Sequence, residues 1–226
     1  MNYYWLSVDD DPNVNWVIFR ANPHRTLRER YRYLACSACG RVNELDAIRS
    51  GIDSDVRIRS KFDYFTSDDG FKCVNNRGRD ILERCGAKGL EFVSLPGGKH
   101  FVVLAQHRVE VRRRPLGKRE EQVLDLDAIA RDPNLIASAR KAVLIESDAC
   151  GMEFHGKCDA CSRYVESLYW PKLRFMALPE DTSLVVAPDI SFEKTWSSET
   201  RLLASEDIVR ALQRAGLRGL EPLVAE

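Results

Sequence analysis

The chain has 226 residues, 44% of them hydrophobic, which is enough to bury a core as one large or two small domains. Its 34 basic and 34 acidic residues cancel, which argues against a protein whose main task is gripping a phosphate backbone. No run of about 18 apolar residues reads as a membrane-spanning helix. The opening MNYYWLSVDDDPNVNW lacks the basic-then-apolar order of a signal peptide, so the expectation is a cytoplasmic protein.

The first 20 residues hold two apolar runs, YYWLSV and NWVIF, split by DDDPN. Asp-Pro-Asn is turn chemistry, so the pair predicts a hairpin or two adjacent strands. A polar helix is expected at HRTLRERY, and the first CxxC pair, Cys36 and Cys39, follows in LACSACGRV. HFVVLA (100–105) and RVEVR (108–112) predict strands, and LPGGKH (95–100) a hairpin turn. The charged stretch 115–135 contains PLGKREEQ, the clearest linker composition. AVLIE (142–146) fits a strand or a helix end. The second pair, Cys158 and Cys161 in GKCDACSRY, comes next, and TSLVVAP then predicts a buried strand. This order suggests an N-terminal unit over 1–114, a linker over 115–140 and a C-terminal unit over 141–226, packed as one body.

The chain also resembles itself. Placed over 190–223 at a constant offset of 130, residues 60–93 align without a gap. ILERCGAKGLEF then lies over ALQRAGLRGLEP. Leu82, Arg84, Gly86, Gly89, Leu90 and Glu91 meet Leu212, Arg214, Gly216, Gly219, Leu220 and Glu221. Upstream, Phe62 meets Phe192, Asp63 faces Glu193, Ser67 meets Ser197 and Asp69 faces Glu199. Apolar or small residues at 78, 81, 82 and 85, and again at 208, 211, 212 and 215, trace one face of an amphipathic helix. Asn76 and Ser205 suit the N-caps, Gly86 and Gly216 the left-handed ends. Each copy then reads as helix, glycine turn, strand. Duplication competes here with convergence of a common unit. The fold class expected is α+β.

Seven cysteines is an odd number, and without an export signal CxxC pairs read as metal ligands or redox centres. Zinc takes four ligands in a tetrahedron, and each CxxC turn delivers two thiolates to one ion. Cys36, Cys39, Cys158 and Cys161 are therefore the expected ligands of a structural Zn2+ ion. It would tie the two halves together and make metal binding part of the folding energy. Redox CxxC chemistry and empty reduced thiols are the competing readings. His155 and Cys150 lie just upstream of the second pair as substitute ligands. Cys73 and Cys85 fall on core positions of the first repeat and read as small apolar residues.

No nucleophile elbow, P-loop, dinucleotide fingerprint or His-Glu-x-x-His occurs. Histidines 24, 100, 107 and 155 have no nucleophile partner by spacing. A closed four-thiolate zinc leaves no position for water. The expectation is a protein that is not an enzyme. The acidic runs VDDDPN and YFTSDDGF read as solvated turns, with a cation or a basic partner as the alternatives, and the basic run RVEVRRRPLGKR as a solvated edge, with nucleic acid as the alternative.

Two CxxC turns, at 36–40 and 158–162, and the ending RLLASEDIVRALQRAGLRGLEPLV resemble the double-CXXCG motif protein family of myxobacteria. Ser162 stands where the second motif has glycine. That family includes immunity proteins that neutralise a toxin delivered between neighbouring bacteria. The resemblance implies a cytoplasmic antitoxin that occludes a cognate toxin domain. The loops Asp63–Asp69 and Glu193–Glu199 then become candidate contacts for a basic toxin cleft. Asp68 and Asp69 are the pair whose reversal to lysine should weaken binding. The alternative is a zinc-stapled nucleic-acid-binding or regulatory module.

Overall fold

The structure is a computed structural model. It describes residues 2–8, 15–19, 36–38, 48–49, 56–67, 71–111, 114–115, 144–147, 152–161, 164–169, 175–189, 192–194, 197–199 and 201–225. In chain order the elements are β1 (Tyr3–Val8), β2 (Asn15–Phe19), β3 (Val56–Ser60), β4 (Tyr64–Thr66), β5 (Lys72–Asn75) and α1 (Asn76–Arg84). Then follow β6 (Leu90–Ser94), β7 (His100–Ala105), β8 (His107–Val109), β9 (Arg114–Pro115), β10 (Leu144–Ser147), β11 (Met152–Lys157) and β12 (Tyr164–Tyr169). The chain closes with β13 (Val186–Pro188), β14 (Phe192–Lys194), β15 (Ser197–Glu199), β16 (Leu203–Ser205), α2 (Glu206–Arg214) and β17 (Leu220–Ala225). The class is mixed α+β, as the sequence predicts.

Two sheets share a strand order. One runs β4–β5–β7–β6; the other runs β13–β16–β1–β17, with β8 added beside β13. The expected pairing of the two opening runs is not formed. β1 lies between β16 and β17, antiparallel to both, while β2 pairs with β3. Burial explains the choice: Tyr3, Trp5, Leu6 and Val8 are all buried, so β1 needs cover on both faces and both edges. The opening residues thus belong to the sheet of the closing residues. The strand expected at TSLVVAP is only β13, because residues 183–185 are engaged in another way described below. HFVVLA is β7, and the LPGGKH turn joins it to β6. The predicted helix at HRTLRERY and most of the linker lie outside the described residues.

α1 and α2 are built alike, 130 positions apart. The side chain of Asn75 accepts from the Gly78 amide at 2.8 Å, and that of Ser205 from the Ile208 amide at 3.4 Å. Each satisfies an amide of the first turn that has no partner within the helix. The cap expected at Asn76 is therefore Asn75, the residue that matches Ser205. At the other end Cys85 and Ala215 donate to Ile81 and Ala211, and Ala87 and Leu217 donate to Leu82 and Leu212. Ile81 and Leu82 of α1, and Ile208, Val209 and Leu212 of α2, point into one core, each worth about 1.5–3 kcal/mol.

Strand register keeps the same offset. Val102 of β7 stands opposite Cys73 and Val93; Trp5 of β1 stands opposite Leu203 and Leu223. Phe101 stands opposite Val74 and Ser94; Tyr4 opposite Ala204 and Val224. Upstream the gapless alignment fails. Phe65 pairs with Cys73, and the strand that pairs with Leu203 does so through Val186, so β13 takes the place of β4. The surplus residues are the β14–β15 hairpin. Residues 192–199 therefore have no counterpart in 62–69.

One core is common to both sheets and helices: Leu6, Val8, Tyr64, Val74, Ile81, Leu82, Val185, Leu202, Ile208 and Leu212 all belong to it. The other face of each sheet has its own cluster. Tyr3, Trp5, Val186 and Leu203 pack with Val109, Val111 and Phe175; Phe65, Cys73 and Val102 pack with Ile48, Phe71 and Leu95. The glycine turns join the two halves. The Arg218 carbonyl accepts from the Asp63 and Tyr64 amides, and the Lys88 carbonyl accepts from the Val185 amide. Each turn thus docks at the start of a strand of the other sheet, the Arg218 turn at β4 and the Lys88 turn at β13.

Candidate metal centre

β11 and β12 form an antiparallel hairpin whose last registered pair is Lys157 with Tyr164. Cys158 and Cys161 sit in the turn beyond it, with Asp159 and Ala160 exposed. Cys36 begins a turn through Ser37 and Ala38. The Sγ atoms of Cys36, Cys158 and Cys161 all lie within 4.8 Å of one another, and Cys36 Sγ is 3.9 Å from Cys158 Sγ. Four sulfurs at about 2.3 Å around a tetrahedral zinc stand about 3.8 Å apart, so this spacing fits a shared ion. It is far from the roughly 2.05 Å of a disulfide. The three thiols are partly buried.

The expected fourth ligand, Cys39, lies outside the described residues, as does Cys150. His155 is in β11, in register with Leu144 and Glu166. Cys73 and Cys85 follow the core expectation. Cys73 is 1% exposed with its thiol toward the Phe71 carbonyl, and Cys85 packs against the common core. Thus 122 positions of chain separate two thiols that the fold brings together.

A second polar cluster was not legible as one. The sequence places Asp63 in an exposed acidic loop, but Asp63 is fully buried. Arg218 donates to its carboxylate from Nε and Nη2, each at 3.0 Å, and from its backbone amide at 3.2 Å. Asn75 Nδ2 donates at 3.0 Å, and Arg77 forms an ion pair with it. Burial alone would raise this carboxyl, but the hydrogen bonds from Arg218 and Asn75 hold it below the usual carboxylate range. The available signal was KFDYF, an aspartate set among aromatic residues. Asp63 is therefore a buried ion-pair partner and not a surface contact. Asp68 and Asp69 lie outside the described residues, and Glu193 and Glu199 belong to the β14–β15 hairpin.

The basic run beginning at Arg108 is partly structural. Val109 and Val111 are buried, and Arg108 Nη1 donates to the Pro188 carbonyl at 2.8 Å. Among the described residues no helix is long and apolar enough to cross a membrane. Compared with known proteins, the chain matches no family model and no curated protein.

Proposed function

We propose that this chain is an immunity-type antitoxin that binds a cognate toxin and blocks it by occlusion. Its fold is held by one structural zinc ion on Cys36, Cys39, Cys158 and Cys161, and it works in the cytoplasm without chemistry of its own. The observation that carries the reading is the thiol group. Cys36, Cys158 and Cys161 converge at the spacing of a tetrahedral sulfur site. An ion closed in by thiolates stabilises a fold rather than turning over a substrate, which leaves the protein's work to its surface. The likeness of 36–40, 158–162 and 201–224 to double-CXXCG motif proteins supplies the partner class. We further read the two strand–helix–strand units as a duplication, supported by their shared caps, register and offset of 130.

The test is co-expression with the open reading frame adjacent to this gene, followed by a pull-down. A neighbour that stops growth alone, and is neutralised by this chain in a stable complex, supports the reading. A harmless neighbour, or rescue without a complex, contradicts it.

A further inference from the structure

β1 and β7 hold equivalent places in their sheets but reach them differently. β7 follows β6 through one tight turn, so its sheet is closed by continuous chain. β1 lies between two strands from the opposite end of the sequence. Without β1, the segment β16–α2–β17 is a helix flanked by two strands with a gap between them. β1 fills that gap along its whole length. Its six residues are in register with β17 from Tyr3–Ala225 to Val8–Leu220, and three are in register with β16. Its side chains enter two cores. Tyr3 and Trp5 join the outer cluster, Leu6 and Val8 the common core. Two anchors fix its depth: Tyr64 Oη donates to the Leu6 carbonyl at 2.8 Å, and Tyr3 Oη donates to the Pro179 carbonyl at 2.9 Å.

We propose that β16–α2–β17 is a strand-accepting clasp and that β1 is its ligand. The ligand class is an extended peptide with aromatic residues at its first and third positions and aliphatic residues at its fourth and sixth. Backbone pairing supplies the grip and the alternate pockets the specificity, as in other strand additions. Chain connectivity does not enforce the contact, because neither neighbour of β1 in the sheet is its neighbour in sequence. The inference is independent of the antitoxin reading.

The test uses the full chain with a protease site placed in the DDDPN segment after Val8. The native protein is cut, then mixed with a fluorescent peptide of residues 1–8, with and without a passage through urea and refolding. The cut strand is expected to remain bound through gel filtration and the labelled peptide to replace it on refolding. A peptide carrying Trp5→Ala should bind about a hundredfold more weakly. A clasp that keeps its hydrogen-exchange protection after losing the strand, or a refolded protein that never takes up the peptide, overturns the proposal. If the cleavable chain does not fold, intact Trp5→Ala replaces it. Amides of β16 and β17 should then lose protection before those of β5 and β6, and equal loss overturns the proposal.

Discussion

The two halves receive each other's glycine turn with different chemistry. In the β4 half, the Arg218–Gly219 turn docks on a buried carboxylate: the Arg218 amide donates to Asp63 Oδ2 at 3.2 Å. In the β13 half, the matching Lys88 amide donates to the Ser183 carbonyl at 2.8 Å, and Leu184 stands where Asp63 would. One half thus uses a side-chain oxygen for what the other does with backbone. What both keep is the backbone part: the Tyr64 and Val185 amides each donate to the turn carbonyl, and a glycine with positive φ follows. The docking geometry is the shared requirement, while the side chains that line it are free to differ.

Breaking the polar side of that comparison should have the largest effect. Asp63→Ala leaves the Arg218 amide without its buried acceptor and leaves Asn75 Nδ2 only the Phe62 carbonyl. It should cost about 2–4 kcal/mol in urea unfolding, with the arginines' exposed heads limiting the electrostatic share. Leu184→Ala, at the apolar counterpart, should cost less, because Leu184 is only partly buried. The glycines sharpen the contrast. A Cβ on Gly219 would collide with the Tyr64 carbonyl, a backbone atom, whereas on Gly89 the nearest atom is His107 Cδ2 at 2.9 Å, a side chain that can move. Gly219→Ala should therefore cost about 3 kcal/mol and Gly89→Ala about 1–2, read from thermal melts.

The smallest effect is on pH. His100 and Tyr3 are counterparts, since His100 pairs with Asn75 and Tyr3 with Ser205. Burial, helped by Lys99, pushes His100 below its usual 6.5, so the unfolded chain binds a proton that the folded chain resists. Stability should fall as pH drops below 6.5, and His100→Gln should remove that slope. Tyr3 is pushed above 10.0 and adds nothing there. Asp63 has the lowered carboxyl, so its contribution is complete above 3.8 and is lost only as pH falls below that toward its folded value.

What the sequence revealed was local. HFVVLA became β7 because its short continuous apolar run and the glycine turn before it are local signals. The α1 and α2 faces were legible because the 3.6-residue period and the terminal glycines are local too. What it hid was non-local. YYWLSV was plainly a strand, but its partners lie at the other end of the chain, and nothing near it names them. Asp63 looked exposed because acidic residues follow it, while the arginine that buries it is 155 positions away. The gapless alignment fails upstream of β5 because the β14–β15 hairpin lies between β13 and β16, a spacing the sequence match did not allow for. The spacing within each CxxC pair singled out Cys36, Cys158 and Cys161, but only the fold brings Cys36 to Cys158 and Cys161.

The most direct test of the account is the zinc content of the purified chain, measured by mass spectrometry beside Cys158→Ser. One zinc per chain, lost with a lower melting temperature in the variant, is the result the account predicts. A wild-type chain without stoichiometric zinc, or a variant that keeps its full zinc, would contradict it.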